Sequence, residues 1–145
     1  MYFNVRVYGL LINEQQEILL TDEQVQDYRF TKFPGGGLEF GEGLTDGLKR
    51  EFMEECNTEV DIISHFYTTD FYVKSAFNDS QLISIYYLVK NSSPLTFPIK
   101  TKAFDFDGNG DALQSFRWKK VDELMATDVT FPIDQFVVDL LRNKV

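Results

Sequence analysis

The chain has 145 residues, 43% hydrophobic and 26% charged, which suits a single domain (1–145) with an apolar core. A net charge of −9 supplies no basic stripe for a phosphodiester backbone, so no nucleic-acid polymer is expected as partner. The start MYFNVRVYGLLINEQ lacks the pattern of a signal peptide, no run approaches the ~18 apolar residues of a membrane span, and one cysteine allows no disulfide framework. Cytoplasm is the default location.

In chain order, residues 2–13 predict a strand rich in β-formers, followed by the polar turn Asn13-Glu14-Gln15-Gln16 and a second strand over 17–22. A short strand over 29–33 leads into a loop, Pro34-Gly35-Gly36-Gly37. A helix follows over 44–56. Residues 60–74 and 81–91 predict two longer strands around the turn Asn78-Asp79-Ser80. A last strand over 115–121 runs into a short helix starting at 122–125. Residues 132–142 close the chain as a helix with Phe136, Val137, Leu140 and Leu141 on one face.

The helix over 44–56 is the informative segment. At 100° per residue Leu44, Leu48, Phe52 and Cys56 form an apolar stripe, and Asp46 in the first turn suits the positive end of the dipole. Glu51, Glu54 and Glu55 cluster on the same wheel at the edge of that stripe rather than opposite it. Carboxylates crowded beside a core repel one another and lose hydration, which is costly without a neutralising cation. Oxygen donors alone select a hard ion, Mg²⁺ first and Mn²⁺ as a substitute. The bland alternative is a solvated acidic helix with Arg50 bridging to Glu54 at i,i+4, which leaves the glycines and Glu42 without a role.

Residues 36–58 read GGLEFGEGLTDGLKREFMEECNT. Gly36, Glu42, Arg50, Glu51, Glu54 and Glu55 match the Nudix box, G-x5-E-x7-R-E-U-x-E-E-x-G-U with U a bulky apolar residue. The chain therefore resembles the MutT-like Nudix pyrophosphohydrolases. Six chosen residues at fixed spacing arise by chance in roughly one window in ten million, from average usage. Asn57 stands in place of the pattern's last glycine, just past the helix end, where asparagine is the second choice for a left-handed conformation. Thr58 replaces an aliphatic residue and Phe52 fills an apolar position with an aromatic ring.

The resemblance implies an α/β/α sandwich with a mixed central sheet, and hydrolysis of a pyrophosphate bond in a nucleoside diphosphate linked to another moiety. It implies metal held by Glu51, Glu54, Glu55 and the Gly35 carbonyl, with Arg50 orienting the glutamates and Glu42 in the acidic ring. A loop carboxylate before the last strand often completes such a site as base. Asp111 is favoured here over Asp107, with Glu54 and Glu55 as alternatives. Arg6, Arg29 and Lys32 are candidates to meet substrate phosphates. Tyr8, Phe30, Phe33 and Phe71 are candidates to stack on a nucleobase. The motifs for coenzyme A, ADP-ribose and NADH subclasses are missing, so nucleoside triphosphates, sugar nucleotides and dinucleoside polyphosphates stay open. A homodimer is left open too. The rival reading is a Nudix-fold nucleotide sensor that binds without cleaving.

Two other features carry plainer readings. Asp105 to Asp111 imitates the opening of an EF-hand loop, but Phe116 stands where a bidentate glutamate is required, so a polar loop is expected. His65, the sole histidine, sits in a predicted strand and reads as structural, and Cys56 reads as a small core residue.

Overall fold

The computed structural model describes residues 1–143 and divides into two compact units: Met1–Leu11 with Pro34–Thr96, and Ile12–Phe33 with the segment from Phe97 onward.

The first unit carries strands β1 (Tyr2–Leu11), β4 (Gly35–Gly37), β5 (Val60–Thr68) and β6 (Ser80–Asn91), and helix α1 (Leu44–Cys56). Its sheet runs β4-β1-β6-β5, with β1 and β6 parallel and the other pairs antiparallel. Helix α1 occupies the residues its periodicity predicts. It buries Gly47, Leu48, Glu51, Phe52 and Cys56, whereas Leu44 at its first turn is half-buried. Burying Leu48 and Phe52 contributes about 1.5–3 kcal/mol each. Gly9 on β1 makes room for the aromatic ring: a Cβ there would lie 2.4 Å from Phe52 Cε2. Asn57 ends the helix in the left-handed conformation (φ 47°, ψ 41°), with its amide donating back to Met53 O at 3.1 Å. Thr58 is fully buried, and its hydroxyl donates to Cys56 O at 2.8 Å, which satisfies the polar group that replaces an aliphatic one.

The second unit holds β2 (Glu17–Val25), β3 (Tyr28–Lys32), β7 (Ile99–Lys100), β8 (Ala112–Lys120) and helix α2 (Pro132–Asn143). Its sheet runs β3-β2-β8-β7, with only β7 and β8 parallel. Asp22 in the middle of β2 is fully buried, and the Arg117 fork (2.7 and 3.2 Å) and the Thr31 hydroxyl (2.6 Å) satisfy it. Helix α2 starts on a proline, whose missing N–H is no loss at the first helical position.

The expected mixed α/β class is found, built on two mixed four-stranded sheets. Several expectations are corrected. Gly35–Gly37 is a strand, not a loop, because it pairs with β1. Strand β5 stops at Thr68 instead of residue 74, after two register shifts against β6. Helix α2 buries Ile133, Val137, Val138 and Leu141, and Phe136 is 39% exposed, so its apolar face is rotated from the predicted one. Among the described residues no helix is long and apolar enough to cross a membrane.

Candidate active site

Strand β4 brings bare backbone against β1. Gly35 has φ +147°, and a Cβ there would lie 2.1 Å from Val7 O, so only glycine fits. The pairing is Tyr8 with Gly35, Val7 with Gly36 and Arg6 with Gly37, flanked by Gly9 N donating to Pro34 O and Leu38 N donating to Val5 O, both at 2.9 Å. A Cβ on Gly36 would lie 2.6 Å from Glu51 Oε2, so the glutamate carboxylate rests directly on the glycine backbone. Gly47 plays a similar part within α1, where a Cβ would meet Leu38 Cδ1 at 2.7 Å and Glu42 Oε1 at 2.9 Å.

Arg50 is the hub of the acidic residues. Its Nε and Nη2 donate to Glu42 at 2.9 and 2.6 Å, and its Nη1 donates to Glu51 and Glu54 at 3.0 Å each. Nη2 also donates to Gly37 O at 3.0 Å, which ties the helix to β4. Glu39 lies 3.6 Å from Nε. The bond to Arg50 pulls the Glu42 carboxyl down to about 2, helped by the Glu39 amide, and the same pair raises the Arg50 pKa. The three box glutamates on α1 are graded in burial: Glu51 buried, Glu55 half-buried, Glu54 exposed.

Arg6 is half-buried on β1. Its Nε donates to the Tyr8 hydroxyl at 2.6 Å, an i,i+2 pair on one strand face. Burial opposes its charge, but the Tyr8 oxygen and the Glu51 and Glu55 carboxylates outweigh burial and raise its pKa. Tyr8 also stacks on Tyr86, with centroids 5.2 Å apart. Tyr8, Phe30 and Phe33 are at most 7% exposed, which corrects their expected role as base-stacking rings, whereas Phe71 is 38% exposed in the first unit. His65 bonds Thr68 Oγ1 at 2.8 Å, and Cys56 is buried.

Arg29, Lys32 and Asp111 belong to the second unit. Arg29 donates to Gln24 at 2.7 Å and lies over the rings of Phe104 and Phe106. Lys32 is buried with its ammonium 3.1 Å from Glu23. Asp111 directly precedes β8, and its carbonyl accepts from Gln26 N at 2.7 Å. Asp107 in the EF-hand-like segment is held by Lys100 at 2.7 Å.

Among the described residues no three His, Cys, Asp or Glu side chains converge as a ready-made metal cage. The donor set nevertheless fits a hard divalent ion. It is all oxygen, it includes a carboxylate cradled on Gly36, and two of its members already share one positive charge, that of Arg50. Sequence reasoning missed the Arg6–Tyr8 bond, the Gly37 carbonyl under Arg50 and the Gly9–Phe52 fit. Strand alternation, with residues 6 and 8 on one face, was the available signal for the first.

The NUDIX domain model matches residues 3–140. No curated protein matches the chain in sequence. Among solved structures, the MutT protein from Methanosarcina mazei Go1 is similar at TM-score 0.71 and 16% identity, over 98% of this chain and 94% of that one. A MutT NUDIX hydrolase from Burkholderia pseudomallei is similar at TM-score 0.70 and 15% identity, over 94% and 96%. A NUDIX hydrolase from Nitrosomonas europaea is similar at TM-score 0.68 and 16% identity, over 94% and 86%. Likeness at such identities speaks for the fold, and the family model, which spans nearly the whole chain, speaks for descent. With the box glutamates gathered around Arg50 beside the glycine strand, the chain belongs to the NUDIX family, as a hydrolase of nucleoside diphosphate derivatives.

Proposed function

We propose that the chain hydrolyses a P–O–P bridge in a nucleoside diphosphate linked to a further group: a nucleoside triphosphate, a sugar nucleotide or a dinucleoside polyphosphate. The observation that carries this reading is the carboxylate set of Glu51, Glu54 and Glu55 on one helix, docked by Arg50 onto the Gly35–Gly37 strand. These glutamates, with the Gly35 carbonyl, would hold Mg²⁺, or Mn²⁺ in its place. The bound ion would polarise phosphoryl oxygens, lower the pKa of the attacking water and offset negative charge on the leaving phosphate.

The protein's own contributions follow from the geometry. Arg50 fixes the rotamers of Glu51 and Glu54 and anchors the helix to Gly37 O, so the donors are preorganised. Glu42 neutralises Arg50 and leaves it less free to bind substrate in place of the helix glutamates. Glu51, buried against Gly36, is the least mobile of the three, and Glu54, exposed, is the one most open to incoming solvent.

Phosphate release from a nucleotide panel with Mg²⁺, including 8-oxo-dGTP, ADP-ribose and sugar nucleotides, tests the reading. Turnover is expected for at least one nucleotide, with a preference for alkaline pH, loss in EDTA and recovery when Mg²⁺ is restored. Nucleotide binding without turnover would favour the sensor reading. Turnover unchanged in EDTA would remove the metal mechanism.

A further inference from the structure

We propose that Arg6 is the residue that receives a substrate phosphate beside the box, with Tyr8 holding it in place and Gly37 keeping the space in front of it open. The inference rests on the hydrolase reading for its substrate class, and it concerns a protein-borne contact rather than the metal.

The cations of the chain differ in what they have left to offer. Arg50 is committed to Glu42, Glu51, Glu54 and the Gly37 carbonyl. Lys32 is buried against Glu23, and Arg29 is engaged by Gln24. Arg29 is exposed and, like Arg6, is bonded through Nε alone, with its guanidinium over Phe104 and Phe106. Arg6 is half-buried on β1, its Nε is used by Tyr8, and the N–H groups of both Nη atoms donate to no described residue. Neither Nη atom of this half-buried guanidinium is among the buried polar atoms that lack a partner, so both stay open to solvent and to an incoming acceptor.

The position of those donors is defined by the strand pairing. Arg6 faces Gly37 across β1 and β4. A Cβ built on Gly37 would meet only one atom within 4 Å, Arg6 Nη1 at 3.7 Å. The glycine thus borders open space that the guanidinium faces. Gly37 φ lies outside the left-handed region, so backbone geometry does not demand glycine there. The space does. The carbonyl of the same residue is already gripped by Arg50.

The chemistry selects the ligand. A guanidinium fork offers paired, coplanar N–H groups that match two oxygens of one phosphoryl group. The Tyr8 bond at 2.6 Å and the Tyr8–Tyr86 stack restrict the side chain, so little freedom is lost on binding. The neighbouring carboxylates Glu51 and Glu55 reinforce the positive charge of Arg6 but form no ion pair with it among the described residues. In a chain of net charge −9, a shielded arginine at this point gives a polyphosphate a specific foothold that the overall field denies it.

Calorimetric titration with imidodiphosphate, a non-hydrolysable P–N–P probe, in the presence of Mg²⁺ tests the assignment. Arg6→Gln is expected to weaken binding by about ten- to a hundredfold, the usual effect of losing a charge-assisted bond. Arg6→Lys, which keeps the charge but not the fork, should fall between. Tyr8→Phe should weaken binding several-fold. Gly37→Ala, which fills the open space at an ordinary contact distance, should also weaken binding while the melting temperature is kept. Mn²⁺ affinity without the probe separates the alternatives: a direct phosphate contact weakens imidodiphosphate binding at saturating metal, whereas a mere counter-charge for Glu51 and Glu55 alters Mn²⁺ affinity and leaves imidodiphosphate binding at saturating metal at the wild-type value. Wild-type affinity for imidodiphosphate in both Arg6→Gln and Gly37→Ala overturns the proposal, as does undetectable binding by the wild type. Absence of turnover on the whole nucleotide panel would instead strike the hydrolase reading and leave this titration to judge Arg6.

Discussion

The carboxylate of Glu51 occupies the place where a side chain on Gly36 would be, 2.6 Å from the position of its Cβ. Two residues fifteen apart in sequence thereby share one volume, and the first glycine of the box has a steric reason. Any side chain at 36 must displace the carboxylate that Arg50 also holds.

Gly36→Ala should therefore fold but lose activity. The obstructing atom is the end of a flexible side chain, so Glu51 moves rather than the backbone. Misplacing a catalytic group by about 1 Å costs on the order of 10²-fold. The expected result is a kcat/KM about 10²-fold lower, weaker Mn²⁺ binding and a melting temperature within a few degrees of wild type. Unchanged kcat/KM would mean that Glu51 is not needed at that place.

Glu54→Gln and Glu55→Gln should each lower kcat by on the order of 10²–10³-fold, the scale seen when one charge-stabilising group is removed from an active site. Glu55→Gln is expected to raise the metal-free melting temperature, since it relieves repulsion between the half-buried Glu55 and the neighbouring buried Glu51. Asp111→Asn assigns the base. General-base catalysis is typically worth 10²–10⁴, so a loss below about threefold would move that role to Glu54 or Glu55.

The pair of Glu42 and Arg50 gives stability a definite pH window. The Glu42 carboxyl titrates at about 2 in the folded protein, below its usual 4.5, because Arg50 and the Glu39 amide favour the charged form. A depressed carboxylate contributes stability above its unfolded pKa, and loses that contribution as pH falls through the folded one. The urea midpoints of wild type and Glu42→Gln should differ by a constant amount at neutral pH and converge as pH falls from 4.5 toward about 2. A gap independent of pH over that range would show that the pair does not act through charge.

Gly9 and Phe52 form a steric pair. A Cβ on Gly9 would lie 2.4 and 2.7 Å from two ring atoms of Phe52 and 3.1 Å from Val89 Cγ2. Gly9→Ala should destabilise by about 1–3 kcal/mol, the range for overpacking a core. Phe52→Leu in the same chain should recover part of the loss, measurable as a coupling energy in chemical denaturation. Additive effects of the two changes would show that the contact is not what limits position 9.

The sequence by itself determined helix α1, its limits, the glutamate set and the left-handed end at Asn57. Each depends on residues within one or two turns of each other, and such local relations are written in spacing. The glycine run had no such pattern. Three residues without side chains carry no periodicity, so β4 became visible only when β1 supplied its hydrogen-bond partners. The tertiary structure also decided which cations are spent. Arg6, Arg29, Lys32 and Arg50 are indistinguishable as charges along the chain, and they differ because Tyr8, Gln24, Glu23 and Glu42 meet them in space. Burial separated the aromatics in the same way: Tyr8, Phe30 and Phe33 are at most 7% exposed and Phe71 is 38% exposed. Composition sets how much can be buried and charged, but which group keeps idle donors and which ring is buried depends on contacts between segments far apart in sequence.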